Sequence, residues 1–138
     1  MATYTSNKRG ASPAGHGFGG NLKFMWAQVA VDTSLVDSDT LEFFELPAGA
    51  TVVYALLEST DIDTGTPAVT INIGDAGSAS RFFAASTVGQ AGTAAVATAA
   101  TGLFHTYSAD TLITGALGTD ADNAAAGTIT LGIGYILP

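Results

Sequence analysis

Ten residues near the C-terminus constrain the fold more tightly than any other part of the chain. In Thr128–Leu137, Ile129, Leu131, Ile133, Tyr135 and Leu137 fall on one side of an extended backbone, and Thr128, Thr130, Gly132 and Gly134 fall on the other. A period of two is the mark of a half-buried strand. Val69, Ile71 and Ile73 alternate with Ala68, Thr70 and Asn72 in the same way, and Leu112 and Thr114 alternate less cleanly with Thr111 and Ile113. Turn chemistry separates such runs: Pro47 to Gly49, Asp63 to Pro67, Gly74 to Gly77, and Gly118 through Gly127. The pattern predicts about eight strands, at 22–31, 41–46, 51–58, 68–74, 80–84, 103–108, 111–117 and 128–137. Strands of this length and spacing predict an all-β, antiparallel β-sandwich of jelly-roll type. The Ala/Thr/Gly segment 86–102 reads as a long surface loop in preference to a short helix.

Several runs are apolar on both sides. Strict alternation sends Phe43 and Phe44 to opposite faces, repeats this at Phe82 and Phe83, and sets Val53, Ala55 and Leu57 against Val52, Tyr54 and Leu56. A sandwich normally hides one face of each sheet. The second face is therefore expected to meet a neighbouring subunit or a long covering loop; the alternative is that both faces are simply core. Leu22, Phe24 and Trp26 share one side of the first strand. That stripe reads as buried core; the alternative is an aromatic platform for a sugar.

Residues 1–20 hold five glycines and a proline and read as a flexible N-terminal arm, with the β-sandwich domain over 21–138. Charge divides at nearly the same place. Residues 1–31 contain Lys8, Arg9 and Lys23 and no acid, giving +3; residues 32–138 contain all twelve acids against Arg81, giving −11. An acidic body repels nucleic acid and anionic membranes, so neither is an expected partner. The basic arm either seeks an acidic surface or is a solvated terminus. Charged residues make up only 12% of the chain, against about a quarter in a typical domain, so part of the surface is expected to be covered by other chains. The most apolar stretches are under a dozen residues, short of the ~20 that a membrane helix needs. Residues 2–21 lack an apolar secretory core, which predicts synthesis and retention in a cytoplasm, or packing into a particle assembled there.

Catalytic chemistry finds little support. There is no cysteine, which excludes disulfides, thiolate metal sites and a cysteine nucleophile. His16 lies in the arm, and His105 shares a strand face with Leu103 and Tyr107, as a structural histidine does. Neither a Gly-x-Ser-x-Gly elbow nor a phosphate-binding P-loop is present. No enzyme and no cofactor are expected. Asp61 and Asp63, and Asp120 and Asp122, place carboxylates two apart in loops, a spacing suited to calcium or simply to turns. No EF-hand is completed, because Asn72 stands where the bidentate Glu would follow Asp61.

The middle of the chain carries phrases with a familiar look: Leu46-Pro-Ala-Gly49, Leu57 to Asp61, Asp63-Thr-Gly65, Asn72-Ile-Gly-Asp75, Arg81 to Gly92, and the closing Ala126 to Tyr135. Across roughly 41–136 the sequence resembles the small capsid decoration, or cement, proteins encoded among the head genes of tailed bacteriophages. The resemblance implies a β-sandwich or jelly roll that trimerises, binds the major capsid protein on the outside of the virion, and stabilises the shell. It carries no catalytic residues. On that reading Phe43, Phe44, Phe82 and Phe83 supply core on one side and subunit contacts on the other, while Lys8 and Arg9 meet acidic patches on the shell. The competing expectations are another virion part, such as a head-fibre base or tail component, and a carbohydrate-binding sandwich, calcium-dependent or not.

Overall fold

A computed structural model describes residues 22–138. Among them eight strands form: β1 (Lys23–Val31), β2 (Leu41–Leu46), β3 (Thr51–Ser59), β4 (Thr70–Asp75), β5 (Ser78–Ser86), β6 (Ala94–Val96), β7 (Thr111–Thr119) and β8 (Gly127–Ile136). A single 3-10 turn, Val88–Gln90, precedes β6. The predicted arm, with Lys8, Arg9 and His16, lies outside the described residues.

Two four-stranded antiparallel sheets face each other. Sheet A has the order β1-β8-β3-β6 and sheet B the order β2-β7-β4-β5. Four pairs are nested, β1 with β8, β2 with β7, β3 with β6 and β4 with β5, so that each pair's numbers add to nine. Alternate pairs fall in opposite sheets, and β8–β3 and β7–β4 contacts join them. That is the jelly-roll arrangement.

The core lies between the sheets. Ile129, Leu131 and Ile133 of β8, Val52, Ala55 and Leu57 of β3, Ile71 and Ile73 of β4, and Ile113 of β7 are fully buried. Each such side chain stabilises the fold by roughly 1.5–3 kcal/mol over an exposed one. The alternation in β8 is realised as read: its even-numbered residues 128 to 134 point away from the core, opposite the even-numbered residues 24 to 30 of β1.

Bulges alter the strict alternation elsewhere. The β2–β7 register shifts between Glu42 and Phe44, leaving Phe43 as the extra residue. Both Phe43 and Phe44 therefore pack, half-buried, against the core, and do not oppose each other. A second bulge between Val52 and Tyr54 makes Val53 the extra residue. Val52, Ala55 and Leu57 turn inward and Tyr54 and Leu56 outward, which replaces the expected grouping.

The strand expected at 103–108 is absent. A turn closes there, with Gly102 and Leu103 N–H groups both donating to the Ala99 carbonyl, and Phe104 adopts φ +62. What remains is a single bridge between Thr51 and Thr106. The eighth strand is β6, inside the segment expected to be a loop, where Ala94–Val96 pairs with Leu56–Glu58. One edge of β3 is thus covered twice: by β6 along its second half and by residues 104–107 along its first, through bonds to Ala50 and Val52.

Candidate functional site

The outward face of sheet A is built of large apolar side chains over glycines. The register places Phe24 and Tyr54 on either side of Gly134, and Trp26 and Leu56 on either side of Gly132, with Val96 beyond Leu56. Leu22, Phe24, Trp26 and Val96 are each at least half exposed, Trp26 at 63%, and Tyr54 and Leu56 at nearly 40%. The rings of Phe24 and Tyr54 stack across the central strand at 5.8 Å and 14°. The glycines make this possible. A Cβ on Gly134 would overlap the Tyr54 ring, and one on Gly132 would stand 2.5 Å from Cζ of Phe24.

Between Trp26 and Leu56 lies an open apolar groove of about 340 Å³, floored by Gly132 and the edge of the Phe24 ring that covers it, and closed at one end by Thr130 and Glu58. The face turns polar in that direction, where Gln28 donates to the Thr130 hydroxyl at 3.1 Å. The stripe Leu22, Phe24, Trp26 was expected to be core. It faces outward because β1 directs the smaller set Met25, Ala27 and Val29 inward, against Ile133, Leu131 and Ile129 of β8. A contiguous exposed apolar patch of this kind marks an interaction surface.

Phe82 and Phe83 are buried within the chain, at 1% and 6% exposure. Phe82 lies against the backbone of Gly102, so the 99–107 segment is the covering loop for β5. Phe43 and Phe44 keep some accessible area.

The four loop carboxylates face amide donors. Asp63 is 1% exposed and accepts from the N–H groups of Gly65, Ala68, Val69 and Asn123. The Asn123 bond, against the opposing effect of burial, leads the other amide bonds in holding its carboxyl far below the usual range. Asp61 accepts from Asp63 N–H, Asp120 from Asp37 N–H and Asp122 from Thr66 N–H. These groups tie the 61–69 loop to the 120–125 loop, and Asp120 ties the second of these to the loop between β1 and β2. These bonds close the loops on one another, and the amide hydrogens take up at least one oxygen of each carboxylate. Among the described residues no group of three or more acids or histidines could hold a metal ion.

A second polar cluster, not foreseen as such, closes the β4–β5 turn. Arg81 forks onto Asp75 with Nε–Oδ2 at 2.5 Å and Nη2–Oδ1 at 3.1 Å. Tyr107 donates to the same carboxylate at 2.7 Å, and the Gly77 and Ser78 amides add two more bonds. Burial pushes the Asp75 carboxyl up, but the bonds from Arg81, Tyr107 and Ser78 outweigh it and bring it down to about 2. Burial, then the bond to Asp75, pushes the Tyr107 hydroxyl up. His105 packs edge-on against Tyr107 with centroids 4.7 Å apart. Among the described residues its one polar side-chain neighbour is Arg81, whose Nη1 approaches Nδ1 to 3.4 Å. The cluster is structural, and its sequence signal was Arg81 itself, the lone cation in an acidic body.

No protein-family model matches the chain, and no curated protein does. Solved structures do. A chain of the cyanophage Pam1 capsid asymmetric unit is 41% identical, with 99% of each chain covered and a TM-score of 0.85. A chain of the Ralstonia phage GP4 capsid is 29% identical over 86% of each chain, with a TM-score of 0.67. A chain of the acidic stable capsid of Helicobacter pylori bacteriophage KHP30 shares the fold, at 15% identity and a TM-score of 0.58, over 83% of this chain and 88% of that one.

Proposed function

Because the chain belongs to the capsid-associated proteins of bacteriophages, we propose that it is a decoration, or cement, protein that binds the outside of a phage shell and stabilises it. As a structural protein of a phage virion it needs a surface to share. The observation that carries the reading is the apolar face of Leu22, Phe24, Trp26, Tyr54, Leu56 and Val96 on an otherwise acidic, sparsely charged chain. The partner is the major capsid protein, and the assembled form is a trimer. Many small contacts repeated over a shell add up through avidity, so each need not be strong. Lys8 and Arg9 complement the apolar face by reaching acidic patches on the shell. Phe43 and Phe44 add to subunit contacts through the area they leave accessible.

The test is addition of purified protein to shells that lack it, followed by co-sedimentation and heating. Saturable binding to the outside and a higher shell-disruption temperature are expected. Absence of binding to intact shells, or incorporation only in the interior, would overturn the proposal. Truncation of residues 2–20 that leaves shell affinity unchanged would remove the arm from it.

Exposed Phe24, Trp26 and Tyr54 also favour a sugar platform as a second reading. The groove beside Trp26 offers only Glu58 and Thr130 as polar groups. Sugar sites orient their ligands with several convergent hydrogen-bonding groups, so a protein surface fits better. Glycan-array binding by a protein inert toward shells would reverse that order.

A further inference from the structure

Among the described residues, two apolar features have no partner. One is the groove floored by Gly132 between Trp26 and Leu56. The other is Phe104, which is 74% exposed and held at φ +62. A bulky residue in the left-handed region is strained, and strain of this kind persists where the surrounding structure enforces it. Here the enforcement is visible. The Phe104 N–H donates to the Val52 carbonyl at 2.6 Å, and the turn from Ala99 precedes it. The effect is to hold an aromatic ring out in water beside the first half of β3.

We propose that Phe104 of one copy of this chain inserts into the Trp26–Gly132–Leu56 groove of a second copy. The two features do not meet in one chain. Phe104 is anchored at Val52, outside β3, four residues and about 13 Å along the strand from Leu56, and Leu56 stands between it and the groove. β1 and β3 flank β8, so the groove walls stand about 10 Å apart, a width that admits one flat ring between Trp26 and Leu56, resting on the edge of the Phe24 ring that covers Gly132. Aromatic pairs at such distances add to plain area burial.

Charge selects the same site. The chain carries a net −8, so two copies repel except where they meet through uncharged surface. Phe104 and the groove are uncharged apart from Glu58 at its closed end. Knob and groove lie at different places on the chain, so the contact is head-to-tail. Such a contact closes into a ring when the rotation between copies divides a full turn. The inference supplies the contact for the proposed oligomer but does not depend on shell binding.

Phe104→Gly separates the interface from the fold. Glycine accepts φ +62 without strain, so the melting temperature should hold or rise. Self-association, followed by sedimentation velocity over a wide concentration range, should weaken by at least about tenfold. Trp26→Ser should weaken it similarly, and the double variant should lose little more than either single one. Wild-type protein that stays a single chain at every concentration would overturn the proposal. So would a Phe104→Gly variant that keeps the wild-type mass distribution, or additive losses in the double variant. Shell co-sedimentation of the Phe104→Gly variant is read separately. Retained binding alongside lost self-association leaves decoration standing, and wild-type protein that self-associates but ignores shells leaves the knob-and-groove contact standing.

Discussion

On the outward side of sheet A, Trp26, Leu56 and Val96 stand in one cross-strand row around Gly132; on the outward side of sheet B the corresponding strands carry Glu42 and Glu45 beside Thr114 and Leu112, then Asn72 and Thr70. Both sheets bury similar aliphatic residues inward, so the fold does not require the difference. One face is polar and the other apolar. A sandwich with unlike faces has a direction, as a protein seated on a shell must.

Charge placement breaks the comparison most severely. Leu56→Glu puts a carboxylate at the wall of the sheet A groove, where any partner must desolvate it. Shell affinity is expected to fall by about a hundredfold or more, the size of an interface hot spot. Leu112→Glu, in the register position beside Glu45, should change it by less than about threefold. Co-sedimentation with shells reads both, and equal losses would mean that the apolar face is not the docking face. Circular dichroism checks that each variant remains folded.

The glycines sharpen the contrast in stability. On sheet A, Gly134→Ala drives a methyl into the Tyr54 ring and breaks its stack with Phe24. Overpacking of this kind costs about 1–3 kcal/mol. On sheet B, a Cβ at Gly118 meets Thr70 Oγ1 and Asn72 Nδ2 at 2.9 and 3.0 Å; the hydroxyl can rotate away, and Asn72 need give only at its amide end, since its Oδ1 is held by the Ala85 N–H. Gly118→Ala should cost under about 0.5 kcal/mol. Denaturant unfolding of the two variants gives the difference directly.

These glycines also show where the sequence was legible. The alternation in Thr128–Leu137 named the strand, its register parity and its inward residues correctly. What one strand's pattern does not contain is which stripe of a neighbour faces inward. In β1 the larger stripe, Phe24 and Trp26, looks like core, yet the side is set by pairing with β8, whose outward residues Gly132 and Gly134 leave room for rings. The bulges at Phe43 and Val53 were hidden for a related reason: an extra residue shifts parity without changing composition. β6 is three residues of Ala and Val, too short for a period, and it exists because the edge of β3 needs a partner. Asp63 had the composition of a turn, and only the fold brings Asn123 to it across sixty positions.

Acid should act through the hydrogen-bonded carboxylates, Asp63 in its loop and Asp75 on the sheet B side. Asp75 closes the β4–β5 turn with its carboxyl brought down to about 2 from an unfolded value of 3.8. The folded chain refuses a proton that the unfolded chain accepts, so this stabilisation is complete above about pH 4 and is lost as pH falls toward about 2. With solvent screening the contribution is on the order of 1 kcal/mol. Thermal melts from pH 5 to 2 should show it, and Asp75→Asn should flatten the slope while lowering stability at neutral pH. The apolar residues of sheet A carry no charge, while the net −8 that keeps copies apart, Glu58 at the groove's end included, shrinks in acid, so self-association per folded chain should hold or strengthen across that range. A loss of association that precedes the loss of fold would place a titrating group in the interface.

Salt has the smallest expected effect and divides the face from the arm. Raising ionic strength from about 0.1 M to about 1 M shortens the screening length from about 10 Å to about 3 Å. Contact through Trp26, Leu56 and Val96 is an apolar burial and should change by less than about threefold. Contact through Lys8 and Arg9 is an attraction between exposed charges and should fade. A shell affinity that is flat in salt assigns the energy to the face, and removal of residues 2–20 should then leave the salt profile unaltered. A steep profile that flattens on truncation assigns it to the arm, and the groove beside Gly132 is then left to contacts between copies alone.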